Sequence, residues 1–326
     1  MKLESLLDSG KHFEPEYKGG LSNHLPMVLT ALHGLGASHG RQVQFFDQYS
    51  LRLERAPSHK LRNQPLPENE WELRGRTDAY HQLQGHFEAA IKREGIDVTL
   101  RRSLPYLMPG CGAAAWHGLL RTAYALISRH DGELASGLAY WTSRHLDLGS
   151  TSYGGTTNDV PGTLLSLRSH MLDLDSDHGL IYLRMQSVAT NKNFSEEVAK
   201  LRVETETLAA LAEYALELYL QTRDFVVLHL VTSCHAMRLI LPFCDNPIEA
   251  MHHYWKSFAA GVIASGVELE QERLPIAASG TWQDAIEVAR RSDDDHLIKI
   301  VFTLSRENDH YQDIRYLQAA LLATNN

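Results

Sequence analysis

Four histidines, His24, His117, His229 and His296, fall in or beside apolar stretches that read as buried helices, far apart along the chain. The sequence carries 18 histidines in 326 residues, an unusual share, and several lie in apolar helical runs rather than polar loops. Imidazole is the commonest protein ligand for iron, copper and zinc, and helical bundles build such sites from facing helices. Taken singly, each of the four reads as a hydrogen-bonded core histidine. Taken together they are a candidate metal set. No HExxH is present, and no spacing of two histidines with one carboxylate stands out.

A second stretch of interest is Ser292-Asp293-Asp294-Asp295-His296-Leu297-Ile298-Lys299-Ile300-Val301. Its Ser and three Asp have the composition of a helix N-terminus, where side-chain oxygens take up free N–H groups and negative charge favours the dipole. His296 and Lys299 are three apart and share a helix face. A lysine among so many apolar neighbours is paired, snorkelling or chemically altered.

Other chemistries find less support. No GxGxxG follows a strand, and Gly34-Leu35-Gly36 reads as a helix stop, so no dinucleotide-binding residues are assigned. GxSxG is absent, and Ser, His and Asp cannot be assembled into a triad from spacing. In Ser233-Cys234-His235 neighbouring side chains on a helix point apart, so Cys234 reads as a structural thiol. No catalytic acid, base or nucleophile is assigned.

The bulk numbers narrow the partners. Net charge is −9, and the basic residues come only in short pairs such as Arg101-Arg102 and Arg290-Arg291, which argues against nucleic acid. No uninterrupted apolar segment of membrane-spanning length is visible, and Met1-Lys2-Leu3-Glu4-Ser5 lacks the apolar core of a signal peptide. Three cysteines (Cys111, Cys234, Cys244) without CxxC spacing argue for a reducing, cytoplasmic setting and against a disulfide framework or thiolate zinc. The oligomeric state is not legible.

Positioning elements follow from periodicity and punctuation. Helices are expected at 22–36, capped by Ser22 or Asn23, at 38–56, at 78–94, at 113–126 and from Asp131 to about Leu148. Residues 57–72 and 104–112 read as proline-rich loop and turn, and 149–162 as the longest loop, a candidate cover for the site. Short helical pieces fill 163–200, with Ser195 as a cap, and a strong helix spans 204–220. Asp224 caps the run from Phe225 to Pro242, whose Val226-Val227 is the best strand candidate but whose apolar length favours a buried helix. Asn246-Pro247 opens a helix to Ala264, and 282–291, 294–305 and 310–322 close the chain. Strand signals are sparse. The expected fold is all-α, one large helical domain over 1–326 with a metal or substrate site in its core.

Five ordered landmarks carry a resemblance: Asn23-His24-Leu25-Pro26-Met27 with Leu35-Gly36-Ala37-Ser38; His117-Gly118-Leu119-Leu120; Leu228-His229-Leu230-Val231-Thr232-Ser233; Tyr254-Trp255-Lys256; and Asp295-His296-Leu297-Ile298-Lys299. Over about residues 20–304 the chain resembles the questin oxidase-like family. The resemblance implies an all-helical oxidoreductase acting on a small aromatic or quinone substrate, by ring cleavage or Baeyer–Villiger-type oxygenation with O₂. It implies a non-haem iron, Fe(II), held by histidines and a carboxylated lysine in part of the family, and NADPH in some members. Carried over residue by residue, the ligands are His24, His117, His229, His296 and Lys299, with Lys256 the other lysine and His235 a substitute histidine. The family pattern tends to histidines at Met27-Val28 and Arg121, where this chain departs, which puts the substrate in doubt. Trp116, Tyr124, Trp141, Tyr153 and Trp255 are candidates either for an aromatic pocket or for ordinary core. A metal-independent oxidase using NADPH and a non-catalytic helical binder of small molecules are the competing readings.

Overall fold

A computed structural model describes residues 2–57, 66–67, 69–150, 153–171, 178–269 and 279–325. It is an all-α fold. Among the described residues the strands are one two-residue antiparallel pair, Glu16–Tyr17 with Leu21–Ser22.

Four helices matter most: Leu25–Gly34, His117–Ser128, Phe225–Ile240 and Asp295–Tyr311. They pack in a closed cycle, the first on the second and fourth, the third likewise on the second and fourth. The Phe225–Ile240 helix is the central member. Asp224 accepts from the N–H groups of Val226 (2.7 Å) and Val227 (3.0 Å), and the apolar run behind it is buried on nearly every side. A continuous apolar helix of this kind is stable only inside the protein, so the strand alternative at Val226-Val227 is not taken. Among the described residues, Phe225–Phe243 is the one stretch long and apolar enough to cross a membrane, with mean hydropathy 1.5, and 72% of it is buried in the protein.

Boundaries shift where tertiary contacts outweigh local pattern. The expected helix at 22–36 begins at Leu25, because Leu21-Ser22 pairs as a strand and His24 takes the cap position. The 38–56 helix ends at Ser50. A helix spans Ile96–Leu107 and runs through Pro105, so the expected turn at 104–112 starts four residues late. The Asp131 helix stops at Ser143. The Asn246-Pro247 start stands: Asn246 accepts from Glu249 N–H at 3.2 Å, and the helix runs Pro247–Ser265. The final helices are Trp282–Arg291, Asp295–Tyr311 and Arg315–Thr324. Much of the loop expected at 57–72 lies outside the described residues.

The largest departure precedes His117. The expected helix 113–126 starts only at His117, because Ala114, Ala115 and Trp116 hold φ of 48°, 55° and 63°. Three consecutive non-glycine residues in the left-handed region cost roughly 1–2 kcal/mol each and persist only where surroundings hold them. Here the indole of Trp116 is fully buried and donates to Ser257 Oγ at 3.0 Å. Gly118 follows because the Asp131–Ser143 helix comes so close: a Cβ there would lie 2.6 Å from Trp141 Cα.

Candidate metal and substrate site

The four helices bring the four histidines into one closed ring. Ring centroids are 4.7 Å apart for His24 and His117, 5.2 Å for His117 and His229, 5.5 Å for His229 and His296, and 4.9 Å for His296 and His24. Residues spread across most of the sequence thus form a single quadrilateral.

Each ring has its Nδ1 engaged by a group of its own element or a neighbour. His117 Nδ1–H donates to Ala114 O at 2.5 Å, a carbonyl aimed by the left-handed turn. His229 Nδ1–H donates to Phe225 O at 2.7 Å in the first turn of its helix. Asp295 serves the other two: Oδ2 lies 2.6 Å from His24 Nδ1 and Oδ1 lies 3.4 Å from His296 Nδ1. Asp295 is free to do so because Asp294 is the helix cap, accepting from His296 N–H at 2.8 Å and Leu297 N–H at 3.1 Å. Tyr49 OH donates to Asp295 Oδ2 at 3.2 Å and accepts from His24 N–H at 3.2 Å, fixing both.

With Nδ1 engaged, Nε2 is the lone-pair nitrogen. His24 Nε2 and His117 Nε2 meet at 2.7 Å with their rings within 8° of parallel, so the two rings face edge to edge. His296 Nε2 is buried with no hydrogen-bond partner among the described residues. Lone pairs directed at one another repel unless a proton or metal cation is shared. Protonation is disfavoured: burial, then the Lys299 charge, lowers His24 to about 3, and burial pushes His117 and His229 well below their ordinary value and lowers His296. Burial alone would raise the Asp295 carboxyl, but the bonds to His24 and His296 outweigh it and hold the group ionised. Among the described residues, one donor atom each from His24, Asp295 and His296 lie within 4.8 Å of one another, and His117 joins them through the Nε2 of His24, a neutral nitrogen and carboxylate donor set that fits a first-row metal ion.

Lys299 is also here, fully buried, its Nζ 3.1 Å from His24 Nδ1. It stands on the Asp295 side of that ring rather than between the facing Nε2 atoms. Burial lowers its amine to about 8, partly opposed by Asp295. The 2.6 Å contact to Asp295 needs the proton on His24 Nδ1, so Nδ1 cannot also accept from an ammonium. Lys256 lies elsewhere: it donates to Gly149 O, and the titratable groups acting on it are Cys111 and Asp147. His235 is apart too, with Nδ1 on Glu307 Oε1 at 2.6 Å. Cys234 is a buried thiol pushed up to about 12 and takes a hydrogen bond from Tyr254 OH, as expected of a structural cysteine.

A cavity of about 350 Å³ opens on the ring of histidines. Its apolar wall is Leu21, Leu180, Ile181 and Phe225. Phe225 lies edge-on to His229 and His296, with centroids 4.8 and 4.7 Å away. The aromatic residues expected as pocket candidates divide differently: Trp116, Tyr124, Trp141 and Trp255 are core, and Tyr153 packs on His252. None of the described residues of 149–162 lines the cavity; Gly179–Tyr182 does. Arg121, where the family pattern tends to histidine, is instead a buried partner of Glu133 at 2.9 Å. A wider depression of about 570 Å³ adjoins the cavity, sharing Tyr17 and Gly20, and its acids are engaged, Glu14 by His81, Glu16 by Arg144, Asp78 by Arg76 and Glu54 by the Lys18 N–H.

Sequence reasoning missed Asp295 as a site residue. The signal was present, since a second acid directly after a capping Asp is free to turn inward. No curated relative matches the chain. Comparison with known families matches residues 21–304 to the one described as Questin oxidase-like, a span holding all four histidines, Asp295 and Lys299, and the chain belongs to that family.

Proposed function

We propose that this chain is a metal-dependent oxygenase of a small aromatic or quinone substrate, with His24, His117, His229 and His296 as ligands and Asp295 as their common anchor. Family membership supports the coarser part, an oxidase acting on an anthraquinone-like substrate. The finer part rests on one observation: the Nε2 atoms of His24 and His117 face each other at 2.7 Å while both Nδ1 atoms are engaged outward. A non-haem iron bound there would supply O₂ activation.

The chain's own residues do the rest. Asp295 and the carbonyls of Ala114 and Phe225 fix tautomer and ring orientation, which keeps the donors neutral and directed inward. Leu180, Ile181 and Phe225 give the open cavity an apolar wall against which a planar ring would lie facing the imidazoles. Lys299 is the proposed fifth ligand, as a carbamate. A neutral amine would add CO₂ through its nitrogen and release one proton to give the anionic carbamate, and burial favours the neutral amine that this needs.

The test is elemental analysis of protein purified without chelator, alongside O₂ uptake with a hydroxylated quinone. Near-stoichiometric iron, lost in His296→Ala and His117→Ala together with O₂ uptake, is expected. Metal-free protein that consumes NADPH with such a substrate would reject the proposal in favour of a metal-independent oxidase. Substrate binding with neither metal nor O₂ uptake would make the protein a binder.

A further inference from the structure

Among the residues lining the histidine cavity, two carry a fixed charge: Asp295 and Arg52. Asp295 is fully engaged by His24, His296 and Tyr49. Arg52 is different. It follows the His39–Ser50 helix, and its guanidinium lies over the Tyr49 ring, 4.1 Å from the centroid. Among the described residues it has no carboxylate partner. It is exposed at the mouth of the cavity, and, as for Arg55 over Phe13, an aromatic ring rather than a carboxylate holds it. The fork is held by its flat face and keeps its N–H edge free. Tyr49, the ring that holds it, is the residue that also fixes Asp295 and the His24 backbone.

We infer that Arg52 reads an anionic substituent, a carboxylate or phenolate, on a planar aromatic substrate whose ring lies against the apolar wall and faces the imidazoles. A guanidinium fork matches carboxylate geometry bidentately and is desolvated more readily than an ammonium. The cavity, about 350 Å³, is near the small end for ligand sites, which suits two or three fused rings carrying one charged group rather than an extended chain. This inference rests on the histidine cavity being the substrate site, not on what metal it holds.

The probes are 1-hydroxy-2-naphthoate and its neutral isostere 1-hydroxy-2-naphthamide, titrated by naphthol fluorescence against the full chain as purified. The native protein is expected to bind the carboxylate about tenfold more tightly than the amide, the effect of one hydrogen bond to a charged group. That preference shrinks with added salt. Arg52→Gln should abolish the preference while leaving amide affinity in place, so the amide reports that the cavity is still folded. Arg52→Lys should keep part of it. Equal affinity of the native protein for both probes, full preference in Arg52→Gln, or no saturable binding of either probe would each overturn the inference. Iron content, measured on the same samples, should not change in Arg52→Gln. A metal-free protein that still shows the Arg52-dependent preference removes the oxygenase proposal and leaves this one standing. An iron-loaded protein without the preference does the reverse.

Discussion

The carboxylate of Asp295 accepts from His24 Nδ1 at 2.6 Å across 271 positions of sequence, joining the first and last landmarks of the site. The same carboxylate reaches His296 through its other oxygen, so one side chain sets the orientation of two candidate ligands. Asp295→Asn keeps the shape and removes the charge. Its metal affinity should fall about 10–100-fold, as for other groups that orient ligating histidines. Competition with a chelator of known affinity measures this. Tyr49→Phe, which removes only one bond to Asp295, should fall by less, and a larger loss there would contradict the assignment.

Lys299 and Lys256 are both buried amines lowered by burial, but only Lys299 touches a histidine of the ring. Protein equilibrated with isotopically labelled bicarbonate should show a carbamate carbonyl resonance. Lys299→Met should remove it and Lys256→Met should keep it. The opposite pattern would move the modified lysine to the Gly149 side of the molecule.

Ala114 holds φ of 48° so that its carbonyl can meet His117 Nδ1. Ala114→Gly keeps the carbonyl and removes the left-handed penalty, but adds chain entropy to the unfolded state. A net stabilisation of about 0.5–1 kcal/mol is expected by denaturant titration, since the penalty per residue is the larger of the two. Gly118→Ala works the other way. Its new Cβ would meet Trp141 backbone at 2.6 Å, and overpacking of that kind costs about 1–3 kcal/mol. A neutral Gly118→Ala would mean that the two helices separate easily.

Glu307 lies outside the site and is 1% exposed, held by His235 Nδ1 and Arg238 at 2.6 Å each. Burial would raise its carboxyl, yet the hydrogen bonds and charges of His235 and Arg238 hold it below the ordinary 4.5. A depressed carboxyl stabilises the fold fully above its unfolded value and loses that contribution as pH falls through 4.5 toward the folded value. Glu307→Gln should therefore destabilise at pH 7, by about 3–5 kcal/mol for a buried pair broken on one side. The gap to the native protein should narrow below pH 4.5, read from denaturant midpoints across that range.

The helices most legible in sequence were those whose signals were local. Asp224 before a long apolar run and Asn246-Pro247 before another give cap and start directly, and the structure follows both. The four histidines were legible as candidates because each sits in an apolar run, although nothing in their spacing shows that they meet. Ala113 to Trp116 was not legible. Alanines favour a helix, and the left-handed turn is imposed by the Trp116 anchor on Ser257, far away in sequence. Pro105 concealed a helix that continues through it. Arg52 gave no signal because its position on the cavity depends on stacking over Tyr49, which only the fold supplies.

The order in which the ring of imidazoles is completed also follows from where its members lie. His24, His117 and His229 leave the ribosome well before the Asp295–Tyr311 helix does, and until that helix docks His24 lacks its carboxylate partner and the quadrilateral lacks a corner. A nascent chain stopped short of residue 295 would present three loosely oriented imidazoles to whatever ion is abundant. If the ring holds an ion as proposed, its capture waits on the docking of that helix.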